Sequence, residues 1–154
     1  MSAEGRGVKL NLGSGAHPLD GFENLDATNG WLFEAGLDYP DESVEAISES
    51  HGLMYVALSD WPYVFSEIER VLQPGGIVRI TEDATDDRRS SRYGGWNETV
   101  VTLTSRDLVR AHMEIVGLEY QDVSETFSYW QDGSLIQRWH GGTPKVFHCE
   151  GLKP

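Results

Sequence analysis

Short apolar runs, separated by turns rich in glycine, proline and acidic residues, set the rhythm of this chain. Val8 to Leu12, Phe22 to Asp26, Val44 to Ser48 and Ile77 to Thr81 each have the length of a strand, and the last is rich in β-branched residues. All four are candidates for parallel pairing. Between the third and fourth, Val64, Phe65, Ile68, Val71 and Leu72 fall at i, i+1, i+4, i+7 and i+8, one apolar stripe along a helix. Ser59 or Asp60 can cap its start, Pro62 suits its first turn, and Gln73-Pro74-Gly75-Gly76 ends it by removing a donor and permitting positive φ. A second helix is predicted from Ser105, its cap, to Val116, ending at Gly117 and leading into a strand at Leu118 to Val123. Asp132-Gly133 between Phe127-Ser128-Tyr129-Trp130 and Leu135-Ile136-Gln137-Arg138-Trp139 signals a hairpin, and a last strand is expected near Lys145 to Cys149. No internal repeat or low-complexity tract interrupts this order, which is that of an open α/β sheet.

Length and composition narrow the function classes. With 154 residues the chain is expected to form one domain over residues 1–154, and 39% hydrophobic content is that of a globular protein with an ordinary core. Its 12 basic against 25 acidic residues give a net charge of −13, which repels a nucleic-acid backbone and argues against DNA or RNA as partner. Cys149 stands alone, so no intrachain disulfide forms; the first residues lack a signal-length apolar stretch, and Leu53 to Leu58 is the longest apolar run. These features point to a cytoplasmic protein without a membrane span. His112, His140 and His148 show no metal-ligand spacing, so no metal is expected.

The chemistry gathers where strands end. Leu10-Asn11-Leu12-Gly13-Ser14-Gly15 leaves the first strand through glycines that let backbone approach a ligand closely, or simply make a tight turn. Asp26, at the end of the next strand, can accept hydrogen bonds from both hydroxyls of a ribose, or shape the turn before Thr28-Asn29-Gly30. A nicotinamide dinucleotide fits poorly: Pro18 stands where the third glycine of that fingerprint belongs. Asp26 follows Gly15 by 11 residues, where the fingerprint places its acid ~20 residues on.

From Val8 to about Asp83 the chain resembles the class I S-adenosylmethionine-dependent methyltransferases, in particular the type 11 methyltransferase domain. The likeness rests on Leu10 to Gly15, Asn24-Leu25-Asp26, Leu37 to Ile47 with its Pro40-Asp41-x-Ser43 stretch, Ser50-His51-Gly52-Leu53, and Glu67 to Ile80. It implies a Rossmann-like α/β fold, three-layer α/β/α with reduced helices, whose open sheet of seven strands is mostly parallel with an antiparallel strand near the C-terminus. It implies S-adenosyl-L-methionine as cofactor, with Gly13, Ser14 and Gly15 along the methionine and ribose, Asp26 on the ribose, and Ser50 and His51 facing the cofactor. Three departures stand out: hardly any room for a helix after the glycine loop, Phe33 near the place of an adenine-side acid, and Tyr55 in place of the second histidine of a His-x-x-x-His pattern.

On the acceptor side His51 is a candidate general base, having an ordinary pKa suited to neutrality, or a histidine packed beneath the cofactor. Glu82 and Asp83, expected just after the fourth strand, can orient an acceptor or take its proton, or merely end the strand. Arg88, Arg89 and Arg92 can grip an anionic group or form a solvated loop with Asp86 and Asp87. Tyr93, Trp96, Tyr129, Trp130 and Trp139 can wall a substrate or fill a hairpin core. The expected function is methyl transfer to a small-molecule or carbohydrate-like acceptor. The alternative is a non-catalytic S-adenosylmethionine-binding or partner-subunit domain, which leaves room for a protein partner or a homodimer.

Overall fold

Four parallel strands form one half of the sheet, as their apolar runs predict. β1 (Val8–Leu12) lies between β2 (Glu23–Leu25) and β3 (Val44–Ser50), and β3 pairs with β4 (Leu72–Asp83). The computed structural model describes residues 7–15, 18–83, 101–123, 128–131, 134–137 and 146–154. β5 (Glu119–Asp122) and β8 (Val146–Leu152) complete a six-stranded sheet in the order β2-β1-β3-β4-β8-β5, with β8 antiparallel to both neighbours. β6 (Ser128–Gln131) and β7 (Ser134–Gln137) pair as the expected hairpin, apart from the sheet. Six strands among the described residues thus replace the seven implied by the resemblance, and the antiparallel strand is where it was expected.

Register divides the sheet into two unlike faces. Leu10, Ile47, Val78 and Gly151 are paired in one row and Leu12, Glu49, Ile80 and Cys149 in the next row of the same face. Two helices cover this face: α1 (Trp61–Val71), with Val64, Phe65, Ile68 and Val71 buried, and α2 (Arg106–Ile115), with Val109 and Met113. His112 of α2 stands edge-on to Trp61 at 5.2 Å, so the helices also touch each other. The opposite face reads Asn11, Ser48, Arg79, Glu150 and Gln121, held by an Arg79–Glu150 pair at 2.6 Å and a Gln121–Glu150 bond of 2.8 Å. Both α-helices of the described residues lie on the first face, and residues 13–15, 18–22 and 26–43 carry only 3-10 turns.

Boundaries follow local chemistry. α1 starts with Pro62 in its first turn, yet Asp60 at the cap position makes no side-chain cap bond because the preceding 3-10 turn, Leu58–Asp60, runs straight into the helix. Ser105 caps α2 as predicted, its Oγ accepting from Leu108 N at 3.1 Å. Arg70, at the far end of α1, donates to the carbonyls of Tyr39 (2.9 Å) and Leu37 (2.8 Å) and to Asp41 and Glu67. Glu67 in turn accepts Leu37 N at 3.0 Å. This fork ties the 37–41 segment to α1 and fixes where β3 begins.

Candidate functional site

The glycine turn after β1 is bound to its neighbour rather than left open. Gly13 N and Ser14 N both donate to Leu25 O, at 2.7 and 3.2 Å, while Asn11 Nδ2 reaches Asn24 Oδ1 at 2.8 Å. The carboxyl ends of β1 and β2 are thereby locked together. Gly13 and Gly15 have φ of +68° and +51°, a region that L side chains rarely adopt. A Cβ on Gly15 would meet nothing within 4 Å, whereas one on Gly13 would sit 3.4 Å from the Phe33 ring and 3.5 Å from Gly52 Cα. The loop thus opens to space at Gly15 and faces the turn after β3 at Gly13.

Asp26 stands at the end of β2, half-buried, and performs the turn-shaping role directly. Its Oδ2 accepts Thr28 N at 3.1 Å and Thr28 Oγ1 at 2.7 Å, and Asn29 Oδ1 accepts from Asp26 N at 3.0 Å. A further bond from the Gly15 backbone ties the carboxylate to the glycine loop; burial raises the carboxyl, but these bonds outweigh it and hold Asp26 below its ordinary value, so it stays ionised. The two sequence readings of Asp26 are therefore compatible: one carboxylate both caps a turn and stands beside the glycine loop as an anion.

At the end of β3, Ser50 and His51 lie next to each other in a strained turn. His51 has φ of +59°, its N donates to Thr81 O at 2.9 Å, and Ser50 Oγ lies 2.9 Å from its Nδ1. The residue is 7% exposed, a packed histidine. Gly52 follows, and its missing side chain is required: a Cβ there would fall 2.7 Å from Phe33 Cζ. Phe33, where the family often places an acid, packs tilted on Trp31 with ring centres 4.8 Å apart and borders both Gly13 and Gly52.

Glu82 departs from expectation. β4 extends to Asp83, so both acids lie within the strand, and Glu82 is fully buried on the helix-covered face, where it accepts Leu53 N at 3.1 Å. Asp83 closes the strand. Glu49, which sequence reasoning passed over, is 1% exposed and accepts Gly52 N at 2.6 Å and Leu53 N at 3.0 Å. Its signal was present: it occupies an inward position of a strand between Leu12 and Ile80. The arginine cluster at 88–92, with Asp86 and Asp87, and Tyr93, Trp96, Trp139, His140 and the turn Asp132-Gly133 lie outside the described residues, as do the side chains of Tyr129 and Trp130. Among the described residues no group of three or more His, Cys, Asp or Glu could hold a metal ion, and no helix is long and apolar enough to cross a membrane.

Residues 24–80 match the family of methyltransferase domains. By fold and by this match over residues 24–80, the chain is similar to the class I S-adenosylmethionine-dependent methyltransferases. The fold is shared with an S-adenosylmethionine-dependent methyltransferase from Archaeoglobus fulgidus (11% identity, 96% of this chain and 86% of that one, TM-score 0.67). It is also shared with a possible histamine N-methyltransferase from Thermotoga maritima (15% identity, 97% and 83%, TM-score 0.60). A methyltransferase from Mesorhizobium loti aligns equally fully (14% identity, 94% and 90%, TM-score 0.61). No curated protein matches the chain in sequence.

The residues at this sheet end suit S-adenosylmethionine, the cofactor that the likeness implies. Open space at Gly15, beside an ionised Asp26 at the neighbouring strand end, provides close backbone approach and a hydrogen-bond acceptor for hydroxyl groups. Such crevices outside the carboxyl ends of parallel strands are where ligands of open α/β sheets bind.

Proposed function

We propose that this protein transfers a methyl group from S-adenosylmethionine to a small-molecule or carbohydrate-like acceptor, with the cofactor lying across the carboxyl ends of β1, β2 and β3. The observation that carries the reading is the meeting of the Gly13–Gly15 loop, Asp26 and the Gly52 turn at one sheet end. In this arrangement Gly13, Ser14 and Gly15 line the methionine and ribose portions. Asp26 accepts from ribose, and Ser50 and His51 form the wall at the end of β3.

When bound, the cofactor supplies a sulfonium methyl group, and its positive charge disappears as an acceptor attacks in line. Holding the two in a near-attack pose can supply ~7 to 11 kcal/mol, so positioning is the main task of the chain. The burial of His51 and its contact with Ser50 Oγ suit orientation better than free exchange of a proton with solvent. Asp83, the last residue of β4, is the second residue we assign to the acceptor, as the group that would orient it or take its proton. The net charge of −13 disfavours a nucleic-acid acceptor, and Ser48-Glu49-Ser50-His51 replaces the Asp/Asn-Pro-Pro-Tyr type of segment that holds a flipped base.

The test is transfer of radiolabelled methyl groups to a metabolite pool, with oligonucleotides and proteins as parallel acceptors. Label in the small-molecule fraction supports the proposal. Label confined to nucleic acid or protein refutes the acceptor class, and cofactor binding with no transfer to any pool favours a non-catalytic subunit.

A further inference from the structure

The sheet end described above contains a buried acid pair that methyl transfer does not itself require. Glu49 and Glu82 come from adjacent strands, β3 and β4, and both are shut off from solvent. Both Oε2 atoms accept the Leu53 amide, at 3.0 and 3.1 Å, so the two carboxyl groups meet at one N–H, and burial pushes Glu49 upward from its ordinary value. Two carboxylates brought together in a desolvated site cannot both ionise. The pair therefore keeps one proton.

This pair grips one structural element. Glu49 Oε2 accepts Gly52 N and Leu53 N, and Glu82 Oε2 accepts Leu53 N, so three bonds from two strands converge on the turn at residues 51–53. That turn includes the left-handed His51, and Gly52 faces the position of Gly13 across the site.

We propose that Glu49 and Glu82 are positioning residues: a clamp sharing one proton that holds the His51–Leu53 turn against the Gly13–Gly15 loop and so sets the cofactor's wall. The inference rests on the cofactor location given under Proposed function. Loss of the shared proton at alkaline pH puts two negative charges in contact, which loosens the turn and weakens cofactor binding.

Among the described residues, other ionisable groups facing the pair are few. His51 lies on the clamped turn. Cys149 on β8 sits beyond Ile80 in the row of Glu49, with Arg106, Tyr120 and Asp122 behind it. Burial pushes the Cys149 thiol up to about 12, so it stays protonated through the working range. His51 is controlled by His51→Asn, because asparagine tolerates left-handed backbone.

The experiment measures the affinity of S-adenosylhomocysteine by calorimetry from neutral pH upward, with ligand-free thermal melts over the same range, for wild type, Glu49→Gln, Glu82→Gln and His51→Asn. In Glu49→Gln the amide oxygen still accepts from the turn, while the amide N–H donates to Glu82 permanently. We expect affinity within about threefold of wild type at neutral pH and no alkaline decline, where wild type and His51→Asn weaken about tenfold or more. An alkaline decline as steep in Glu49→Gln as in wild type overturns the clamp, as does pH-independent binding by wild type. If wild type binds no S-adenosylhomocysteine at any pH, the cofactor location fails. The melts then decide the clamp by themselves: wild type must lose stability at alkaline pH and Glu49→Gln must not.

Discussion

Substituting alanine for Gly52 tests the tightest contact of the site. The backbone there, φ −99° and ψ −36°, is open to any residue, so the whole effect is steric. The new Cβ falls 2.7 Å from Phe33 Cζ, 2.9 Å from Phe33 Cε2 and 3.0 Å from Glu49 Oε2. Carbon atoms prefer separations of ~3.5 to 4.0 Å, so the ring must retreat by roughly 1 Å. Trp31 is stacked behind it and Gly13 lies beside it, which leaves little room to do so. Overpacking of this kind costs ~1 to 3 kcal/mol. At ~2 to 4 °C per kcal/mol for a domain of this size, the melting temperature should fall by roughly 2 to 12 °C. Because the same ring borders the glycine loop, cofactor affinity should fall with it. Adding Phe33→Leu should recover part of both losses, a non-additive result expected for side chains in contact. Thermal melts and calorimetric titration with S-adenosylhomocysteine read the two effects. A Gly52→Ala protein that melts and binds as wild type, or a double variant no better than the sum of its parts, would refute the reasoning.

Asp26→Ala should lose ~0.5 to 2 kcal/mol of stability with its cap and ~1.5 to 3 kcal/mol of cofactor binding with its anion. Asp26→Ser should restore the first without the second, measured by urea unfolding beside titration; recovery of both would remove the ribose role. Arg70→Lys removes the fork that serves Leu37, Tyr39, Asp41 and Glu67 at once and should cost ~1.5 to 3 kcal/mol in urea unfolding, with an unchanged midpoint counting against it. Arg70 holds Glu67 below its ordinary carboxylate value of 4.5. Its contribution is therefore complete above that value and lost as pH falls through the lower folded value. Glu67→Gln should accordingly be less stable at neutral pH and show a shallower loss in acid, read from melts between pH 7 and 2.

Much of this architecture can be read from residue order, and the parts that cannot have identifiable causes. The apolar stripe of α1, the Ser105 cap and the glycine exit from β1 act over a few residues, so their neighbours in sequence are their partners in space. Strand ends were harder: β3 and β4 continue past their apolar stretches because polar Glu49 and Glu82 find donors in the 52–53 turn. Arg70 belonged to a recognisable motif, but its purpose lies some 30 residues away, in carbonyls of the 37–41 segment that carry no side-chain signature. The ambiguity of Asp26 was real, since capping and ribose recognition ask for the same side chain at the same strand end. Which face the described helices cover was not legible beforehand, because alternating polar residues suit either a solvated face or a sparsely covered one.

The place of β8 between β4 and β5 governs how the sheet is assembled during synthesis. β4 and β5 are synthesised well before residues 146–152, yet each depends on them for a neighbour. Until that segment emerges, the nascent chain carries an unpaired strand edge beside the Val78 and Ile80 rows and a β5 that has nothing to join. Pairings so distant in sequence are slow to form, and edges of this kind attract other chains while they wait. Chaperone dependence during synthesis should therefore follow the emergence of β8 more closely than the folding of the glycine-loop half.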